Sequence, residues 1–170
     1  NIIALTDLGE QTYIGNPGLW TPTSVNVPSN KANTEYQTMV STLDGARDIS
    51  QATQLLDGYG LVGGEDYEKL QSARLLTSSE YYVNTALGYI SLNSTLQTDD
   101  VLGIAFEYTY NGTTYQVGEF SSDVTDNTKA LFVKLLKPSS GSPQLPSWRL
   151  MMKNVYSLGA SSVSKDKFRL

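Results

Sequence analysis

Apolar positions along this chain change period near residue 80. Over residues 34–57 they recur at helical spacing; beyond Glu80 they alternate with polar ones. In the helical stretch, Tyr36, Met39, Val40 and Leu43 fall at i, i+3, i+4 and i+7, one stripe of a helix that Asn33 or Thr34 can cap. Asp44-Gly45 ends it. Asp48 then caps a second predicted helix that holds Ile49, Ala52, Leu55 and Leu56 and is stopped by Gly58 and Gly60. Residues 1–33 instead carry Gly, Pro, Asn and Ser at close intervals, as in Gly15-Asn16-Pro17-Gly18. That punctuation predicts an irregular lead-in of short extended pieces, with Ile2-Ile3-Ala4-Leu5 the best strand candidate.

Beyond Glu80, Tyr81-Tyr82-Val83 and residues 88–92 predict two strands joined across Asn84 to Leu87. Val101 to Tyr110 and Thr113 to Phe120 flank Asn111-Gly112. Both turn residues tolerate the positive φ of a type I′ turn, so a two-residue hairpin loop is predicted. Its register sets Tyr110 opposite Thr113, Tyr108 opposite Tyr115 and Phe106 opposite Val117. All six then share an apolar face, expected to be buried, while Glu107, Thr109, Thr114 and Gln116 share a polar one. Gly103, inside a strand, marks a bulge or close packing. Ala130 to Leu136 is a short apolar run that fits a buried strand or a helical turn. The Pro- and Ser-rich residues 138–147 read as a linker or exposed loop, and Trp148 to Tyr156 as a strand followed by a turn at Gly159.

The fold class predicted is α+β and mainly β: an antiparallel sheet of roughly four or more strands, with a helical pair over residues 34–57 packed at one side. A single domain over residues 1–170 is expected, the alternative being two β lobes divided near residues 137–147. A lone hairpin is marginal in water, so the sheet must be backed by the helices or by a second sheet.

Composition then narrows the chemistry. Cysteine and histidine are both absent, which removes thiolate nucleophiles, disulfides, the usual zinc ligands and any Ser-His-Asp arrangement. Neither a cofactor nor a metal site is expected. A net charge of −5 argues against nucleic acid as a partner and against a polybasic membrane anchor. No apolar run approaches the roughly 20 residues of a membrane-spanning helix, although the strands of a barrel would leave a weaker signal.

The carboxylate pairs Glu65-Asp66 and Asp99-Asp100 fit turn and cap chemistry better than an acid/base pair, and calcium-loop spacing is absent. Gly58-Tyr59-Gly60 and Gly63-Gly64 follow a helix, the wrong order for a phosphate cradle. Among eleven tyrosines, those on the predicted apolar face are expected to pack in the core. Trp20 and Trp148 lie beside prolines in loop-like surroundings and are the candidates for a contact surface. Asn93-Ser94-Thr95 and Asn111-Gly112-Thr113 match the glycosylation acceptor pattern, which is short enough to recur by chance. Lys165, Lys167 and Arg169 alternate as on the solvated face of a strand.

The chain starts at Asn1 and stops at Phe168-Arg169-Leu170, a strand-like pattern in mid-course, so a piece of a larger polypeptide is expected. Two stretches support that expectation. One comprises Gly88-Tyr89-Ile90-Ser91-Leu92-Asn93, residues 99–112 and Tyr115-Gln116-Val117-Gly118-Glu119-Phe120. The other comprises Leu131-Phe132-Val133-Lys134-Leu135-Leu136-Lys137 and residues 148–160, including Met151-Met152-Lys153-Asn154-Val155-Tyr156-Ser157-Leu158-Gly159. In order and content they resemble the SprA (Sov) family of Bacteroidetes cell-surface proteins, and Arg47-Asp48-Ile49 is similar to the same region. The resemblance spans residues 45–160.

The resemblance implies a domain of a giant outer-membrane translocon of the type IX secretion system, which also supports gliding motility. It implies no enzymatic activity, no catalytic residue and no cofactor. The partners it implies are the rest of the parent barrel polypeptide, other secretion-system proteins and exported cargo, with the domain on the periplasmic or extracellular side of the outer membrane. Two other readings compete: a stand-alone surface module binding carbohydrate or peptide through Trp20, Trp148 or the tyrosines, and a hydrolase using Asp99 or Glu65, for which no acid/base spacing exists.

Overall fold

The computed structural model describes residues 1–150 and Asp166. The elements run β1 (Ile2–Leu5), α1 (Glu35–Ser41), α2 (Ala52–Tyr59), β2 (Tyr67–Leu70), β3 (Tyr81–Asn84), β4 (Tyr89–Leu92), β5 (Leu102–Ile104), β6 (Phe106–Tyr110), β7 (Thr113–Val117) and β8 (Leu131–Lys137). Short 3-10 helices lie at Asp44–Arg47 and Pro146–Leu150. The fold is α+β and mainly β.

A four-stranded sheet in the order β2-β1-β8-β5 forms the centre, and β3-β4 and β6-β7 are separate two-stranded hairpins. The strand expected at Ile2-Ile3-Ala4-Leu5 therefore forms, and it is an inner strand of the sheet. It pairs antiparallel with β2 but parallel with β8, Ile2 beside Leu131 and Leu5 beside Lys134, so the sheet is mixed rather than antiparallel throughout. Inner strands covered on both faces carry near-continuous apolar runs, and β1 and the first half of β8 read that way. That settles Ala130 to Leu136 as a buried strand. Ile3, Leu5 and Phe132 pack on one face with Met39, Leu43, Leu56 and Trp20; Ala4, Val133 and Leu135 cluster on the other.

The helical pair forms, with shifted bounds. Met39 and Leu43 are buried and Tyr36 and Val40 half-buried, so the predicted stripe of α1 faces the core. The second helix begins at Ala52 rather than at Asp48. The Asp48 carboxylate accepts the Ser50 N–H at 3.0 Å and the Ser50 hydroxyl at 2.7 Å, closing a local turn that delays helix entry. Gly58 lies inside α2, and Gly60, at φ 107°, supplies the left-handed cap.

Both predicted hairpins are present. Asn111 and Gly112 take φ 50° and 76°, and β6 and β7 pair in the expected register, Phe106 to Val117 through Tyr110 to Thr113. The single strand expected over residues 101–110 is broken at Ala105: β5 joins the central sheet and β6 leaves it for the hairpin. Gly103 shows both features that its position implied. The β5-β8 register slips between Leu102 and Gly103, and a Cβ on Gly103 would meet Val133 Cγ2 at 2.8 Å. β2, an edge strand of mixed polarity, went unpredicted after the Gly63-Gly64 turn.

Trp148 to Leu150 is 3-10 rather than strand, because Pro146 presets the φ of a helical first position. The rest of that predicted strand, the Gly159 turn and Lys165, Lys167 and Arg169 lie outside the described residues. Among the described residues no helix is long and apolar enough to cross a membrane.

One buried ion pair ties the layers together. Glu119 Oε1 accepts Arg47 Nη2 at 2.6 Å and the Tyr36 hydroxyl at 3.0 Å; Oε2 accepts Arg47 Nη1 at 2.7 Å and the Phe132 N–H at 2.8 Å. The Arg47 guanidinium also lies 4.1 Å from the centre of the Phe132 ring. Burial works against the Arg47 charge, but the hydrogen bonds it donates to Glu119 and Asp44 outweigh it and hold the group above its ordinary pKa. Burial, then the Glu119 charge and hydrogen bond, push Tyr36 up to about 12. Removing one partner of such a pair leaves an uncompensated charge, so Glu119→Ala should cost about 3–5 kcal/mol in urea unfolding. The double variant Arg47→Met with Glu119→Leu should lose less than Glu119→Ala alone.

Candidate functional site

Trp20 is not a surface residue. It is 2% exposed and stacks on Tyr59 with ring centroids 6.0 Å apart, and its carbonyl accepts the Tyr13 hydroxyl. A tryptophan in a loop satisfies its large apolar area by folding the loop over it, which proximity to proline does not reveal. Trp148 is half-buried and lines a groove of about 540 Å³ with Tyr13, Ile14, Pro17, Pro143 and Arg149. It remains a contact-surface candidate.

The tyrosine face of the β6-β7 hairpin is less covered than its pattern implied. Phe106, Tyr108 and Tyr115 stack at 6.1 and 5.5 Å and are only half-buried, and Tyr110 is 53% exposed. Only Val117, at the end nearest the sheet, is fully enclosed. The β3-β4 hairpin is more open still, with Tyr82, Val83 and Leu87 all exposed. Its β4 side chains Tyr89, Ile90 and Leu92 form one wall of an apolar groove of about 590 Å³, whose other wall carries Leu102, Ile104 and Leu136.

Turn chemistry accounts for one member of each carboxylate pair. Asp100 accepts the Gln97 N–H at 2.8 Å, and Asp66 accepts the Val62 N–H at 2.8 Å. Asp66 has a second aspect that its turn position hid: it is 5% exposed, and burial raises its pKa against the opposing pull of the Val62 N–H. Gly15 sits between it and Asp7, where a Cβ would meet Asp66 Oδ1 at 2.9 Å and Asp7 Oδ2 at 3.1 Å. Asp7 accepts the N–H groups of Ile14 and Gly15 at 2.6 and 2.9 Å. Glu35, at the start of α1, is 1% exposed beside them, and Lys134 Nζ pairs with Glu10 at 2.8 Å. Sequence reasoning missed this cluster because its members come from four separate segments. The only signal was a charged Lys134 in the middle of an apolar strand.

No group of three or more acidic side chains among the described residues is disposed to hold a metal ion. The geometry offers instead two grooves and an open aromatic hairpin, features of a contact surface. A scan against protein-family models finds no match, and a search of curated proteins finds none either. The two tryptophans report their surroundings separately. With Trp148→Phe, acrylamide should quench the remaining emission poorly; with Trp20→Phe, it should quench the remaining emission efficiently.

Proposed function

We propose that this chain is a structural and interaction domain of an outer-membrane protein-export translocon of the type IX secretion system, of the SprA (Sov) family, acting without catalysis at the cell surface. The observation that carries this reading is the ordered likeness of residues 88–160 to that family. The disposition of charge supports it. Arg47, Glu119, Lys134, Asp7 and Asp66 are all spent on internal ties, while Tyr82, Val83 and Leu87 are exposed on the β3-β4 hairpin and half-buried apolar side chains line the groove beside it. Such a domain binds neighbours: the rest of the parent barrel, other secretion components or passing cargo. In cells bearing the parent protein, Tyr82→Asp with Leu87→Asp should leave the protein present at the outer membrane but sharply reduce exported cargo and gliding. Undiminished export with those substitutions would remove the contact role.

A second reading, a stand-alone module for carbohydrate or peptide, is favoured by one feature. Trp148, Tyr13 and Arg149 meet in a single groove, an arrangement suited to stacking a sugar ring or seating a proline-rich segment. Glycan- and peptide-array binding that is lost on Trp148→Ala would support it, and blank arrays would remove it.

A further inference from the structure

Glu35 is the one charged side chain among the described residues whose two carboxyl oxygens are both buried without a hydrogen-bond partner. Its backbone is pinned. Asn33 Oδ1 accepts the Glu35 N–H at 2.8 Å, while Asn33 Nδ2 donates to the carbonyls of Asp7 and Glu10 at 2.8 and 2.9 Å. Asn33 thereby ties the start of α1, and with it Glu35, to the turn after β1.

The groups facing it come from every neighbouring element. Asp7 and Glu10 approach from the turn after β1, Asp66 from the turn before β2, and Lys134 from β8. Three of these repel an anion at Glu35. The fourth, Lys134, already pairs with Glu10 and donates to the Thr6 carbonyl. The first turn of α1 favours an anion only weakly, whereas burying an unpaired carboxylate is far more costly. The closed structure accommodates Glu35 as a neutral acid and not as a charge.

We propose that Glu35 is a proton-held latch: protonated, it lets α1 and the turn after β1 close over the sheet, and its ionisation loosens them. Burial, and next the Asp7 charge, raise its pKa well above the ordinary carboxylate value, against the opposing pull of Lys134. The sign follows. An acid whose folded-state pKa is raised contributes its full stability below the unfolded value of about 4.3, and loses it as pH rises toward the folded one. Glu35's contribution is thus greatest in acid and is lost toward alkaline pH.

Urea unfolding of the wild type and Glu35→Gln tests this between about pH 5 and about pH 8. The amide is neutral at every pH, so the ratio of the two unfolding constants should rise about tenfold per pH unit until the folded-state pKa is reached. Amide exchange in α1, corrected for intrinsic rate, should quicken with pH in the wild type and not in Glu35→Gln. A ratio independent of pH would overturn the latch. Should Glu35→Gln fail to fold, wild-type protein carrying carbon-13 at its glutamate carboxyls decides. One resonance at the protonated position near neutral pH supports the proposal, and its absence refutes it.

Discussion

The carboxylate of Glu119 sets the relation between the layers of this fold. Four donors converge on its two oxygens, from Arg47, from the Tyr36 hydroxyl and from the backbone of Phe132. A charge in a low-dielectric interior is tolerated only when its lone pairs are met in this way. Through those bonds the end of β7, the helix α1, the 3-10 helix at Asp44–Arg47 and the inner strand β8 are fixed relative to one another. Glu35, a few ångströms of chain from Tyr36, faces the same burial with no such donors. One glutamate has donors on both oxygens; the other has none.

What lies outside this framework follows from it. With the central sheet backed by α1 and α2 and its ionisable groups committed to the interior, the two small hairpins have little of the core left to cover them. Each remains a two-stranded ribbon with one aromatic or aliphatic flank partly in water. An isolated ribbon of this length gains too little from its own pairs to be stable, so its stability comes from what it leans on. The β6-β7 ribbon leans through Val117 and through the Asn30 amide, which donates to the Gly118 carbonyl at 3.1 Å. The β3-β4 ribbon leans on less.

Local signals read well from the sequence. Asn111-Gly112 determines a hairpin because few residues accept positive φ, and its register follows from the loop length alone. The spacing of Met39 and Leu43 likewise reports the buried side of α1. Long-range pairing leaves no such trace. Nothing in Ile2-Ile3-Ala4-Leu5 announces a parallel neighbour near residue 131, and nothing in a long β-prone run shows that it changes sheets at Ala105. Trp20 and the acidic cluster were illegible for the same reason: burial in loops is decided by distant segments, and local polarity points the wrong way. The Trp148 groove was half legible, since the proline-rich stretch marks a surface loop but not the Tyr13 loop that completes it.

The parallel pairing of β1 with β8 also orders events in time. During synthesis the first strand emerges with no permanent neighbour until β2 appears, and its second flank stays open until residues 131–137 leave the ribosome. Closing so long a loop is entropically slow, and an apolar inner strand waiting for it is a template for wrong pairings. The punctuated segment between β1 and α1, with its glycines and prolines, resists forming strands of its own during that wait. Its irregularity keeps the seat beside β1 vacant for the latecomer.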